Sequence, residues 1–321
     1  MSNKSKLRMY SRKGGKVLNT PNNTELNIKD MFDMFITDKS IEGLSERTLH
    51  DYNIHFSYLQ NYLGGSILNI QFNKELFKSY IAYMLHEKGL SPVTANVRIR
   101  TIRAFLRYCY FNGYINEPIH EHFKPVKTKE DTLESFTPEE VKRLLSFVDE
   151  RSYKGFRDKV IIYLLLDTLV RCSELVGIKR KNIDLKAGFI TLEPEGTKAK
   201  KSRVVPISTK TTKLLKEYVE LTEVYGSEFL FLTYEGSFLS DNTVRKNLAE
   251  IGEKARVNKR VSPHTFRHTG ALFYILNGGD PFSLQKILGH SDMSMVRKYI
   301  QMTNTDVKKQ HNVFSPLNRV F

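Results

Sequence analysis

The sequence predicts a mainly α protein with a small β-hairpin or sheet in its second half, an α+β arrangement divided into two domains. Three observations carry that expectation. Apolar residues recur at spacings of three and four from 26 to 115 and again through most of 136 to 303, the period of helices with one buried face. Between these stretches, residues 116 to 135 lose the period and gain proline and charge. Phe189 to Ile207 alternates apolar and polar residues around Pro194-Glu195-Gly196, as two or three short strands joined by turns would. A chain of 321 residues with 40% hydrophobic residues has the length for two domains and enough apolar material for a core in each.

Residues 1 to 25 set Lys4, Lys6, Arg8, Arg12, Lys13 and Lys16 against the single acid Glu25, with few apolar residues, and read as a basic flexible arm. The helical domain, 26 to 115, opens with the stripe Ile28, Met31, Phe32, Phe35 and Ile36. A second stripe, Leu49, Tyr52, Phe56, Leu59 and Tyr62, is entered near Ser45 and closed by Gly64-Gly65. A third runs from Leu76 to Leu85 and stops at Gly89. The fourth has Ser91 as its N-cap, Pro92 at the first helical position, where a missing N–H costs nothing, and Asn112-Gly113 at its end. The linker, 116 to 135, leads to Thr137-Pro138-Glu139-Glu140, which combines an N-cap, a proline at the first position and a capping-box glutamate. Helical signals then run to Ile178, give way to the alternating stretch, and resume from about 210 with stops at Asn277-Gly278-Gly279 and Gly289. The tail, 304 to 321, carries Val313, Phe314, Leu317, Val320 and Phe321, too few for a domain but enough for an anchor.

Lys and Arg number 50 against 35 Asp and Glu, a net charge of +15 that points to a polyanionic partner, with nucleic acid the first candidate. No apolar run reaches the 18 residues a membrane-spanning helix needs, and the strongest, Val160 to Leu166, is core-sized, so no membrane partner is expected. Two isolated cysteines, Cys109 and Cys172, make neither a disulfide framework nor a metal cage. With a basic, polar N-terminus lacking an apolar leader, the expectation is a cytoplasmic protein. Arg98, Arg100, Arg103 and Arg107 fall on the fourth helix at spacings suited either to a strip of phosphate contacts or to a solvated face.

His264-Thr265-Phe266-Arg267-His268 is the most unusual pentapeptide. Two histidines one turn apart could suggest zinc, but a zinc-protease site needs Glu directly after the first His and Thr265 stands there, so no metal site is expected. His264 and Arg267 share a helix face and would set a proton-transfer group beside a fork of donors suited to a phosphate oxygen. His268 reads as a buried, hydrogen-bonded structural histidine. Leu288-Gly289-His290-Ser291 follows, with Tyr299 nine residues after His290. Arg171 comes directly after a strongly apolar helix, where an arginine needs an anionic partner, and Glu174 is the simplest one.

In order along the chain stand Arg171 with Ser173-Glu174-Leu175, the basic hairpin Gly196-Thr197-Lys198-Ala199-Lys200-Lys201-Ser202-Arg203, His264-x-x-Arg267, Leu288-Gly289-His290, and Tyr299. This series resembles the tyrosine recombinases, also called the phage integrase family. The resemblance covers nearly the whole chain: 26 to 115 is similar to that family's SAM-like core-binding domain, and 136 to 303 to its catalytic domain, the two forming a clamp on DNA. It implies that Tyr299 is the nucleophile, Arg171 and Arg267 hold the scissile phosphate, His264 and His290 handle protons and contact phosphate, and Lys198 is the general acid, with Lys201 as the alternative. Lys200, Lys201 and Arg203 join the α-helical arginines as expected DNA-binding residues. There are two departures from the family pattern: Leu169 stands where glycine is usual, and Thr197-Lys198-Ala199 replaces Gly-Lys-Gly.

The implied activity is site-specific recombination of double-stranded DNA through a 3′-phosphotyrosyl intermediate, for a mobile element or for chromosome-dimer resolution, by a homotetramer on DNA. Such a linkage stores the bond energy, so no cofactor, ATP or metal is expected, and no phosphate-binding loop for a nucleotide is present. The alternatives are topoisomerase IB-like cutting and resealing within one duplex, or a non-catalytic DNA-binding protein on the same fold. An accessory protein is a candidate further partner, and the tail is expected to dock on a neighbouring subunit.

Overall fold

The computed structural model describes residues 25–65, 67–128, 134–193, 202–289, 293–297, 299–300, 308 and 311–319. The chain divides into two compact units at residues 130/131. It is mainly helical with one small antiparallel sheet, the α+β class expected. The arm 1–24 lies outside the described residues.

In the first unit, α1 (Ile28–Ile41), α2 (Glu46–Leu63), α3 (Lys74–Ala82) and α4 (Pro92–Phe111) are each entered through a side chain that accepts a backbone N–H: Asn27, Ser45, Asn73 and Ser91. Gly64 closes α2 with φ 67°, a left-handed value that suits glycine. The third helix differs from the expected stripe, because after Ala82 it loosens into a π turn over Tyr83–Glu87. Phe32 stacks on Phe56 with ring centroids 3.7 Å apart, and Phe105 meets Phe32 edge-on, so three helices share one aromatic centre. The segment read as a linker from 116 is part of this unit as far as 128. Asn96 Nδ2 donates to the Val126 carbonyl and its Oδ1 accepts from the Val126 amide, both at 2.8 Å, and Ile119 and Phe123 are buried in the same core.

In the second unit, α5 (Pro138–Ser146) starts with the capping box expected: Thr137 N donates to Glu140 Oε2 at 2.7 Å, and Thr137 Oγ1 accepts from Glu140 N. The central helix α6 (Tyr153–Thr168) buries Val160, Ile161, Ile162, Leu164 and Leu165. Around it lie α7 (Cys172–Val176), α8 (Thr209–Leu221), α9 (Asp241–Lys254) and α10 (Pro263–Leu276), followed by α11 (Pro281–Leu288) and the single turn α12 (Ser294–Arg297). β1 (Ile183–Asp184), β2 (Phe189–Leu192) and β3 (Arg203–Pro206) pair in sequence order, with Ile183 opposite Ile190, Ile190 opposite Val205 and Leu192 opposite Arg203. The sheet thus begins before the alternation at Phe189, while the turn around Pro194-Glu195-Gly196 lies outside the described residues. Inside the core, Arg157 pairs with Asp158 at 3.1 Å and donates to the Leu232 carbonyl, and Asn247 donates to the same carboxylate. The buried guanidinium and carboxylate thus pair with each other, as burial of charge requires.

α10 lies close against α6. A Cβ at Gly270 would sit 2.2 Å from the Leu166 carbonyl oxygen, so only glycine permits the approach. Leu169, the C-cap of α6, holds φ 55° in the left-handed region and yet is buried, its side chain packed over Gly270. This junction sets the direction of the two residues that follow.

Candidate active site

Arg171 is the N-cap of α7, and Glu174, three residues on, reaches back to accept from its backbone N–H at 2.7 Å and from its Nη1 at 3.0 Å. The same carboxylate takes both terminal nitrogens of Arg203 on β3, at 2.6 and 2.7 Å. Arg203 Nε also donates to the Ile287 carbonyl, and Gly289 leaves room for the guanidinium stem, since a Cβ there would come within 3.0 Å of it. Burial alone would raise the Glu174 carboxyl. Hydrogen bonds from Arg203 and from the Arg171 amide, with the charges of both arginines, outweigh it and bring the group down to about 2.

Arg267 projects from α10 and is 5% exposed. Its Nη1 donates to the Leu169 carbonyl and its Nη2 to the Leu288 carbonyl, so the guanidinium plane is fixed by the ends of α6 and α11. Burial and the nearby Arg171 charge lower its pKa to about 10, which leaves it cationic at neutral pH. His264 is exposed on the first turn of α10, and its pKa is lowered by burial of part of the ring and by Arg267, Arg260 and Arg245. Tyr299 follows α12, held by a bond from its backbone N–H to the Val296 carbonyl, and is 8% exposed. Burial raises its phenol to about 12, against the pull of Arg267. His268, 4% exposed, stands between them: Nδ1 is hydrogen-bonded to the Tyr299 hydroxyl, and Nε2 lies 2.6 Å from His264 Nε2.

These side chains line a cleft of about 300 Å³ within the second unit, bounded by Val170–Ser173 on one side and His264, Arg267 and His268 on the other, with Arg245 and Tyr299 completing it. The arrangement presents fixed cations, imidazoles and a phenol to one small volume, as attack on a phosphodiester requires. No cluster of three His, Cys, Asp or Glu among the described residues could hold a metal ion.

Of the expected site residues, the fold brings Arg171, His264, Arg267 and Tyr299 together. Lys198, Lys200, Lys201 and His290 lie outside the described residues. Arg203 departs from the expectation of a DNA contact: its donors are committed to Glu174 and Ile287. The α4 arginines divide. Arg98 lies 3.7 Å over the Tyr58 ring and Arg103 donates to the His120 carbonyl, whereas Arg100 is exposed and Arg107 is exposed beside Phe111. Three residues were missed or underread. His268 is buried and hydrogen-bonded as expected, but its partners are the site itself. Glu174 serves two arginines rather than one. Arg245 carried no signal, being one basic residue among many on a solvated helix.

A family model described as the phage integrase family matches residues 134–305, and one described as the phage integrase SAM-like domain matches 27–128. The tyrosine recombinase XerD of Staphylococcus aureus is 29% identical over 282 residues, 86% of this chain and 94% of that protein. XerD of Listeria innocua is 27% identical over 298 residues, 90% and 99%. Among solved structures, the Tn1549 transposon integrase in complex with a circular intermediate DNA superposes with a TM-score of 0.75 at 19% identity, over 90% of this chain and 100% of that one. A lambda integrase tetramer bound to a Holliday junction gives 0.72 at 15%, over 86% and 78%. No helix among the described residues is long and apolar enough to cross a membrane. The chain therefore belongs to the phage integrase family, and is a site-specific tyrosine recombinase that breaks and rejoins DNA strands by transesterification.

Proposed function

We propose that Tyr299 is the nucleophile, that Arg171 and Arg267 hold the scissile phosphate, and that the cleft they share is where the strand is cut. The observation that carries this reading is that Tyr299 lines one cleft with Arg171 and with Arg267, whose guanidinium plane is fixed by two backbone carbonyls. The phenol oxygen attacks phosphorus, the bond to the 5′ oxygen breaks, and a 3′-phosphotyrosyl linkage and a 5′ hydroxyl result. Lys198 gives the leaving oxygen its proton, helped by the surrounding cations, with Lys201 the alternative, and His290 contacts the phosphate. Arg100, Arg107, Lys200 and Lys201 are the DNA contacts this reading retains, and Arg203 acts by holding Glu174.

The partner is a double-stranded recombination site, bound by four copies of the chain in the cytoplasm, serving a mobile element or chromosome-dimer resolution. The tail reaches a neighbouring subunit, consistent with the exposure of Val313, Phe314 and Leu317. Topoisomerase-like resealing within one duplex is not favoured, since the matching relatives are recombinases and integrases.

The test uses a nicked suicide substrate that traps the covalent adduct. Tyr299→Phe is expected to bind DNA with near-unchanged affinity and form no adduct. Lys198→Ala is expected to regain cleavage on a substrate with sulfur at the leaving 5′ position, a leaving group that scarcely needs a proton, while Tyr299→Phe is not rescued. Rescue of Lys201→Ala in place of Lys198→Ala moves the acid to Lys201, and an adduct formed by Tyr299→Phe refutes the nucleophile.

A further inference from the structure

The two imidazoles of α10 reach Tyr299 in an order that motif spacing does not reveal. His264 is exposed and His268, one turn on, is buried. His268 Nδ1 meets the phenolic hydroxyl, and its Nε2 meets His264 Nε2 at 2.6 Å. His268 is thus an imidazole in contact with the reacting oxygen, and the route from His264 to that oxygen runs through it. We propose that His268 is the immediate base for Tyr299 and that it passes the proton on to His264, a two-imidazole relay from a buried phenol to an exposed ring. The proposal rests on Tyr299 being the nucleophile.

The protons balance. With Nδ1 accepting from the phenol, His268 carries its hydrogen on Nε2 and donates it to Nε2 of His264, whose own hydrogen is then on Nδ1. As the phenol oxygen bonds to phosphorus and the bond to the 5′ oxygen breaks, the phenolic proton moves to His268 Nδ1. The Nε2 hydrogen of His268 crosses to His264 at the same time. His268 ends neutral with its hydrogen on the other nitrogen, and His264 becomes an imidazolium until it releases a proton to water. In the rejoining step the phenolate is the leaving group: His264 takes a proton back from water, and the same two transfers run backwards, from His264 to His268 Nε2 and from His268 Nδ1 to the phenolate.

The surroundings explain why two rings serve where one would not. Among the described residues, the charged groups nearest the pair are Arg267 and Arg260 on and before α10 and Arg245 from α9, with Arg171 from α7 lining the same cleft and Glu174 and Arg203 beyond it around Arg267. Cations dominate this set, so a positive charge left on the buried ring would be repelled without water to solvate it. The relay places it instead on the ring that solvent reaches. Burial of part of the ring, with Arg267, Arg260 and Arg245, lowers the pKa of His264 and so favours the neutral form that can accept a proton.

The experiment is single-turnover adduct formation on the suicide substrate across pH 5.5 to 9, with the wild-type protein, Tyr299→Phe, His268→Asn and His268→Ala. Asparagine keeps a polar group at the δ position for the phenol but cannot carry a proton through. His268→Asn is expected to bind DNA as the wild type does and to form adduct about 100-fold more slowly. Its rate should climb about tenfold per pH unit as hydroxide takes over deprotonation of the phenol. Added imidazole should restore His268→Ala in a saturable way. A wild-type rate and pH profile in His268→Asn overturns the proposal, as does a slower rate with an unchanged profile and no imidazole rescue. If these variants do not fold, the wild-type rate in mixtures of light and heavy water decides: a curved dependence on deuterium fraction supports two protons in flight, and a straight line overturns them. Absence of adduct from the wild type, or its presence in Tyr299→Phe, refutes the nucleophile itself, a failure distinct from that of the relay.

Discussion

Glu174 lies between two guanidinium groups, and its ionisation governs how the protein responds to acid. Its carboxyl is held at about 2 in the folded chain against an ordinary 4.5, so the stability it contributes is fully present above pH 4.5 and lost as the pH falls toward 2. That contribution is on the order of 2 kcal/mol. Glu174→Gln is expected to lower the melting temperature at pH 7 by several degrees, to flatten the loss between pH 4.5 and 2, and to slow adduct formation by loosening Arg171. Thermal melts at pH 7, 4.5 and 2.5 check it; an acid limb identical to the wild type's would assign the limb to other carboxylates. At this scale the sequence was most informative where the chemistry leaves few choices, as with Arg171, His264, Arg267 and Tyr299. It was least informative where a residue's role depends on which partner it meets. A glutamate three residues after an arginine and a histidine one turn after another are equally at home on any helix, and only the fold brings Arg203 to the first and Tyr299 to the second.

Leu169 is the left-handed C-cap of α6, and the structure shows what a leucine there requires. A leucine at φ 55° costs about 1–2 kcal/mol in the left-handed region, while a buried leucine truncated to a small residue loses about 2–5 kcal/mol. The side chain finds space because position 270 has no Cβ. Leu169→Gly is therefore expected to be net destabilising by about 2 kcal/mol and to slow adduct formation, because the carbonyl that orients Arg267 belongs to this residue. A higher melting temperature would mean that strain outweighs packing here. Among elements, helix starts were legible because capping is local: Ser45, Ser91 and Thr137 each bond to an amide within three residues. Residues 116 to 128 were not, because the bonds that fix them come from α4, to Val126 from Asn96, 30 residues earlier, and to His120 from Arg103, 17 residues earlier. β1 is too short to show alternation, and the π turn after α3 has no periodic signature.

For the molecule as a whole, the +15 charge makes DNA affinity a matter of displaced counterions. If about eight phosphates are neutralised, the logarithm of the association constant falls with that of salt at a slope near −7. Fluorescence anisotropy titrations at several salt concentrations measure it, and a slope shallower than about −2 argues against broad backbone contact. The Glu174 bridge has a further consequence here. One carboxylate faces Arg171 and Arg203, with the buried Arg267 beside them, so the cleft carries more positive than negative charge before any DNA arrives. Folding thus does electrostatic work against like charges, and an oxyanion that enters returns it, so that stability and anion occupancy become linked quantities. Inorganic phosphate at fixed ionic strength should raise the melting temperature of the wild type and not of Arg171→Ala, and should compete with the cleavage site for the cleft. The protein held in phosphate buffer is then a tighter and less reactive molecule than the same protein in chloride.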